Sequence, residues 1–273
     1  MLKSMKYLLI DTSYLMYRSY FAFTNIRLKG EPIGALFGFS KAVAQLCTQY
    51  RPDGIFFCCD LKEPTWRHQM KDDYKAGRQK IEDDMVAQIP LIYEFLSALK
   101  APVLKTPGYE ADDQIFTLTR NILGSEWLTE ADAHDDVLIF SADKDLYQLL
   151  QWDTVAFVKP QKGSRSALFK ADEFKEKYDL DTQQWLDYKA LIGDPSDNLK
   201  GLPGIGPKTA LGLLKDWGSL YNIAQHLQWD IPFIPHHPAQ KDATIKPRIK
   251  QIFLDHREEL WQTYRLSQLH WIP

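Results

Sequence analysis

The chain has 273 residues, 45% of them hydrophobic and 25% charged, with a net charge of −3. That length suits one large domain or two small ones and a core that needs no disulfide staples. The composition excludes a disordered tail, a collagen, a coiled coil and a disulfide scaffold.

The N-terminal stretch Met1–Ile10 has only the four-residue apolar run Tyr7–Ile10, too short for a secretory leader, and no run approaches the ~18 residues of a membrane span. Cys47, Cys58 and Cys59 are an odd set, two of them adjacent in an apolar run, and read as small core residues of a reducing compartment. The expected location is therefore the cytoplasm, with no membrane partner. Neither a CxxC pair nor an HExxH arrangement points to zinc.

Short apolar runs with little alternation mark strands buried on both faces: Tyr7–Ile10, Gly54–Cys59, Val137–Phe140 and Thr154–Val158. Helical patterns lie between them at Gly34–Tyr50, Asp84–Leu99 and Ala111–Leu123. This alternation predicts an α/β fold with a mainly parallel central sheet over residues 1–178. From 179 to 273 the chain reads as a small helical module, with helices at Gln183–Ile192, Lys208–Lys215, Ser219–Leu227 and Ile249–Arg265. The stretch Ile231–Pro247, with four prolines, reads as a surface loop.

The acids fall in telling places. Asp11 and Asp60 end the first two strand runs, and Asp143 and Asp145 follow the third within five residues. Open α/β sheets bind ligands outside the carboxyl ends of their strands, so three strands aim carboxylates at one rim. Glu110, Asp112 and Asp113 open a helix, and Asp194 and Asp197 lead into the helical module. Singly, each reads as a helix cap or a solvated acid. Together, nine carboxylates would repel strongly unless a cation joined them. An all-oxygen set points to Mg2+ or Mn2+, and two such ions about 4 Å apart clamp a phosphodiester for hydrolysis.

Two further segments suit nucleic acid. Leu61–Lys80 holds six Lys/Arg and interleaved aromatics, with Lys71, Lys75 and Arg78 at helical spacing beside Tyr74. Cations beside a stacking ring suit a single strand. Leu202–Ala210, LPGIGPKTA, is a tight hairpin opening a helix. Gly204 and Gly206 permit close phosphate approach, and Pro207, Lys208 and Thr209 begin a helix whose free N–H groups favour an anion. Such a grip is blind to base sequence.

The segments LLIDTSYLMYRSYFA, FCCD, WRHQMKDDYKAGR, GYEADD, SADKDLYQLL and LIGDPSDNLKGLPGIGPKTA occur in this order over nearly the whole chain. Together they resemble the 5′-nucleases of the flap endonuclease superfamily, above all the 5′–3′ exonuclease domain of bacterial DNA polymerase I and its stand-alone bacterial and phage relatives. The resemblance implies a PIN-like nuclease domain with a helical arch at about 62–95 and a helix-hairpin-helix module. All nine acids match the family's metal-binding carboxylates. Lys75 and Arg78 match its catalytic basic pair, Tyr74 the aromatic before them and Arg67 the arginine at the base of the arch; with Lys71 of the basic segment, Arg67 and Tyr74 are expected to contact DNA. The hairpin matches the duplex grip, which in some relatives also holds K+. Departures are Trp66, Ala142, Pro195 and Lys200, none at a matched ligand.

The implied activity is 5′–3′ exonuclease and 5′-flap endonuclease cleavage of DNA through a metal-activated water. The expected substrates are flaps, nicks and 5′ ends, with RNA primers also accepted, and the expected state is a stand-alone monomer. Two rival readings are a junction-binding protein with little catalysis and a PIN-type ribonuclease.

Overall fold

The computed structural model describes residues 4–77, 80–124, 135–161, 165–230, 232–234, 237–240 and 243–273. In chain order its elements are β1 (Lys6–Asp11), α1 (Thr12–Ala22), β2 (Arg27–Leu28), β3 (Glu31–Pro32), α2 (Gly34–Tyr50), β4 (Gly54–Cys58), α3 (Trp66–Met70), α4 (Asp83–Val86), α5 (Ile89–Ala98), β5 (Val103–Leu104) and α6 (Ala111–Leu123). Then come β6 (Asp136–Phe140), β7 (Val155–Pro160), β8 (Ser166–Phe169), α7 (Ala171–Tyr178), α8 (Trp185–Ile192), β9 (Gly193–Asp194), β10 (Leu199–Lys200), α9 (Pro207–Trp217), α10 (Leu220–His226), α11 (Pro247–Asp255) and α12 (Arg257–Ser267). Short 3-10 turns cover Asp145–Gln151, Thr182–Gln184 and Pro195–Asp197.

The chain packs as two compact units. The first comprises Met1–Thr65, Gln79–Lys170 and His270–Pro273; the second comprises Trp66–Arg78 and Ala171–Leu269.

In the first unit a six-stranded sheet runs β5-β4-β1-β6-β7-β8, parallel throughout except for the antiparallel edge strand β8. The α/β class with a mainly parallel sheet is as the sequence predicts. The central strands are apolar on both faces because helices cover both. Leu8, Ile10, Leu138 and Ala156 join Phe39, Val43, Leu46 and Ile92 in one core. β1 lies between β4 and β6, with Ile10 paired to both Phe57 and Phe140. That order sets the carboxyl ends of β4, β1 and β6 side by side. The C-terminal residues run along α6, where the Ile272 amide donates to Thr117 Oγ1 at 2.9 Å.

In the second unit α8, α9 and α12 pack together, and α3 lies on α12. α8 stops at Gly193, φ +74°, in a close pairing of β9 with β10: a Cβ there would stand 2.3 Å from the Gly201 amide nitrogen. The predicted helices of this half are present, with Ile249–Arg265 resolved into α11 and α12 by a break at His256. The described residues of the 231–247 loop hold no helix or strand apart from Pro247, which opens α11. No helix among the described residues is long and apolar enough to cross a membrane.

Candidate metal-binding rim and nucleic-acid-binding elements

Asp11 is both the last residue of β1 and the N-cap of α1, its Oδ1 accepting from the Tyr14 amide at 2.9 Å. A carboxylate at this junction satisfies a free helix amide and faces the positive end of the helix. Its Oδ2 accepts from the Ser141 hydroxyl at 2.8 Å, at the end of the neighbouring β6. Ser141 also accepts from the Asp143 amide at 3.0 Å, and Asp143 Oδ1 accepts from the Asp145 amide at 2.8 Å. The Ser-Ala-Asp-Lys-Asp turn is thus folded around its own acids and hung from Asp11.

On the other side of β1, Asp60 follows β4 and its Oδ1 accepts from the Ala111 amide at 2.9 Å, at the start of α6. Gln114 Nε2 donates to the Cys59 carbonyl at 3.0 Å, so α6 is pinned to the end of β4 twice. The pinning brings the start of α6 close enough to the rim for the Asp112 charge to act on Asp11, while Glu110 is the buried N-cap of that helix. Burial first, and then the negative charge of Asp60 with a further contribution from Asp112, pushes the Asp11 carboxyl up to about 7. The Tyr14 and Ser141 bonds oppose that rise without cancelling it.

Asp113 is placed differently. It is fully buried, and its two oxygens accept from the Glu110 amide at 3.3 Å and the His270 amide at 2.9 Å. Its carboxylate holds the start of α6 and the C-terminal segment.

The second unit holds the other two acids in the turn after α8. Asp194 Oδ1 accepts from the amide and hydroxyl of Ser196, at 2.9 and 2.6 Å, and its Oδ2 pairs with the ammonium of Lys189. Burial works against the charged form of Asp194, but the Lys189 and Ser196 bonds outweigh it and hold the carboxyl below its ordinary value. Asp197 is buried and accepts at Oδ2 from the Tyr74 hydroxyl at 3.2 Å. Lys189, buried within the apolar run of α8, is the residue whose type and place in the sequence signal an acidic partner.

The basic segment departs from its helical spacing. α3 ends at Met70, and residues 72–77 form turns, with Lys75 at φ +58°. Lys71 pairs with Asp73 and holds that carboxyl below its ordinary value. The Lys75 ammonium lies 4.9 Å from the Tyr74 ring centroid. Tyr74 is 4% exposed and Arg67 1%, so neither ring nor guanidinium offers a face for a base or phosphate here. The expected DNA contacts of these two residues give way to internal ones, because each finds buried oxygens in its own unit. Arg78 lies outside the described residues.

The hairpin is built as its residues require. Leu202 and Ile205 are buried, while Gly204, Gly206, Pro207 and Lys208 face solvent and Thr209 is half-buried. Gly204 has φ +76°, a conformation that favours glycine. Pro207 is the first residue of α9, and its extended N-cap, Gly206, has no side chain to cover the free amides. A Cβ at Gly206 would meet nothing within 4 Å.

Comparison with known proteins places this geometry. The chain is 40% identical over 263 residues to the thermostable DNA polymerase I of Thermus thermophilus, covering 96% of this chain but 28% of that protein. It therefore spans little more than a quarter of such polymerase relatives. It is 33% identical over 263 residues to the 5′-3′ exonuclease of Aquifex aeolicus, with 96% of this chain and 81% of the relative covered. Its fold is shared with the bacteriophage T5 flap endonuclease, in a structure described as a pseudo-enzyme-product complex with DNA and metal ions: TM-score 0.70, 20% identity, 97% and 89% of the two chains covered. It is shared more distantly with the catalytic core of Rad2 in complex with a DNA substrate: TM-score 0.55, 16% identity, 96% and 78% covered. Residues 6–179 match the family model for the N-terminal resolvase-like domain of 5′-3′ exonuclease, and residues 180–271 match the model for its C-terminal SAM fold. The chain belongs to the 5′-3′ exonuclease family.

Proposed function

We propose that this chain is a divalent-metal-dependent 5′-nuclease that hydrolyses DNA phosphodiester bonds at 5′ ends, nicks and 5′ flaps. The carrying observation is the placement of Asp11, Asp60 and Asp143 after the carboxyl ends of three adjacent parallel strands, β1, β4 and β6, with α6 pinned so that the Asp112 charge acts on Asp11. The donor set fits the metal: its groups are all carboxylate oxygens, and the burial and crowding that push Asp11 up are what a cation would relieve. Asp11, Asp60, Glu110, Asp112, Asp143 and Asp145 are the groups assigned to Mg2+ or Mn2+ in the first unit. Asp113 joins them by family match, although its oxygens are engaged by amides. Asp194 and Asp197, in the second unit, are assigned to metal by the same match.

When bound, such cations polarise the phosphate and lower the pKa of nearby water. The protein's own groups do the rest. Ser141 and the Tyr14 amide fix the Asp11 carboxylate, and the Ala111 amide fixes Asp60. Lys75, with Arg78, carries positive charge for the phosphate as negative charge develops on it. The open amides at Gly206–Thr209 take a backbone phosphate of the duplex, and Lys208 adds charge there. K+ on the hairpin carbonyls belongs to the same proposal and rests on the motif's resemblance alone. The protein acts as a cytoplasmic monomer and accepts RNA primers as well as DNA.

The test is incubation of labelled 5′-flap, nicked and single-stranded DNA, and a flap with an RNA 5′ segment, with and without Mg2+. Metal-dependent release of 5′ products is the expected result. Binding of flap DNA without cleavage at any metal concentration would leave a junction-binding protein, and cleavage of RNA alone would leave a ribonuclease.

A further inference from the structure

The segment carrying Lys75 is tied to the turn carrying Asp197 within the second unit. Asn198 Nδ2 donates to the Asp73 carbonyl at 3.0 Å and to Asp73 Oδ2 at 2.9 Å. Both partners are acceptors only, so the amide has one orientation and both its N–H groups are used. In return the Lys75 amide donates to the Asp197 carbonyl at 3.2 Å, and the Tyr74 hydroxyl donates to Asp197 Oδ2 at 3.2 Å.

The backbone at both ends of this tie is left-handed, φ +58° at Lys75 and +58° at Asn198. Asparagine tolerates that region; lysine is rarely found there. A lysine in such a conformation persists where its surroundings over-determine it. The bonds from 197 and 198 are those surroundings.

We propose that Asn198 is a positioning residue for Lys75. It locks the 73–75 turn onto the 195–197 turn, so that the Lys75 ammonium and the Asp197 carboxylate keep one separation and one relative direction. For its effect on cleavage this rests on the nuclease reading; the tie itself does not. Asn198 also ends the 195–197 turn, its own amide donating to the Pro195 carbonyl at 3.3 Å. Asn198→Gly separates the two roles, because glycine keeps the left-handed turn and deletes the side-chain donors.

Two measurements on the full chain test it. Amide hydrogen exchange reads the tie without any activity: in Asn198→Gly, exchange across 71–77 should rise at least tenfold, while β1, β4 and β6 exchange as in wild type. Single-turnover cleavage of a 5′-flap substrate by saturating enzyme reads the consequence. The rate should fall at least tenfold, with substrate affinity within about threefold of wild type. In a Lys75→Ala background the same substitution should cost little more, since a group acting through Lys75 has nothing left to position. Unchanged exchange over 71–77, or rate losses that multiply in the double variant, would overturn the proposal. Altered exchange in a protein whose wild type cleaves nothing would sink the nuclease reading and leave the tie standing. If Asn198→Gly does not fold, Asn198→Asp keeps the backbone preference, replaces the donors by an acceptor facing Asp73, and is read in the same way.

Discussion

The Nε of Arg67 donates to the carbonyl of Leu266 at 2.9 Å, joining residues 199 apart in the chain. Nη2 of the same guanidinium donates to the Gln268 carbonyl at 3.0 Å, and the group lies 4.5 Å from the Trp66 ring centroid. The last carbonyls of a helix lack intrahelical N–H donors, and at the end of α12 a buried arginine supplies them. The fork geometry suits two carbonyls, which a lysine cannot serve in the same way.

Arg67→Lys should therefore destabilise the second unit, by about 3 kcal/mol if two charge-assisted hydrogen bonds are lost at roughly 1.5 kcal/mol each. Chemical denaturation reads the loss. Stability equal to wild type would return Arg67 to the DNA-binding role its sequence position suggests.

Much of the first unit was legible because buried parallel strands are short apolar runs, and all four predicted runs are strands. α2 and α6 begin and end where their patterns do. α1 carries no such signal: Thr12, Leu15, Met16 and Ser19 are buried while Tyr14, Tyr17 and Tyr20 pack half-buried around them, so no clean apolar stripe stands out. The positions of Asp11 and Asp60 at strand ends were legible because each closes an apolar run. The 71–77 turns were not, because contacts far off in sequence decide them: Tyr74 reaches Asp197, 123 residues away, and helical spacing carries no trace of that. Asn198 carries no local signal for the same reason, its partner Asp73 lying 125 residues away.

Cleavage should require Mg2+ or Mn2+ and stop in excess chelator. Asp143→Asn, or Asp145→Asn, should largely abolish it while flap-DNA affinity is kept, since removing one negative charge weakens cation binding yet lessens repulsion of the phosphodiester. Asp143 also accepts from the Asp145 amide, and asparagine preserves that bond through its carbonyl oxygen. Wild-type rates in either variant would remove that acid from the metal set.

The hairpin separates a binding effect from a folding effect. At Gly206 a side chain meets no neighbour, so Gly206→Val should leave the thermal midpoint within a few degrees while its methyls screen the α9 amides. Duplex affinity should fall several-fold, equally for all sequences. Gly204→Val, at φ +76°, should also cost stability, because valine is strained there whatever the space. Unchanged affinity in Gly206→Val at moderate salt would make the motif a plain turn.

The two lysines of the basic segment should separate. Lys75→Ala should lower the single-turnover rate roughly 10²-fold, the scale of losing one strong electrostatic donor in the transition state, with a modest effect on affinity. Lys71 is already paired with Asp73, so its charge is partly spoken for. Lys71→Ala should leave the rate within a few-fold of wild type and change the salt slope of binding by less than one unit. Equal small losses for both would mean that the segment is only a solvated basic face.

The last prediction concerns Asp187, a fully buried acid in α8 that the proposed chemistry does not use. Its Oδ2 accepts from the Leu220 amide at 2.9 Å, at the first residue of α10. Burial pushes its carboxyl up to about 8, and the Leu220 bond only partly offsets that. In the unfolded chain the same group titrates near 3.8. Between these two values the unfolded state gives up the proton that the folded state keeps. The unfolded state then binds fewer protons, so stability falls as pH rises, by at most about 1.4 kcal/mol per pH unit. Below pH ~3.8 both states are protonated, and above pH ~8 both are ionised, so the dependence ends at each limit. Asp187→Asn keeps an oxygen for the Leu220 amide and removes the titration. Its stability relative to wild type should therefore climb steadily from pH 4.5 to 8 and level off beyond. Paired denaturation curves at pH 4.5, 6, 7 and 8.5 check this, because acids common to both proteins cancel in the difference. A difference that does not change with pH would mean that Asp187 ionises in the folded protein as readily as in the unfolded one, held by partners stronger than the Leu220 amide.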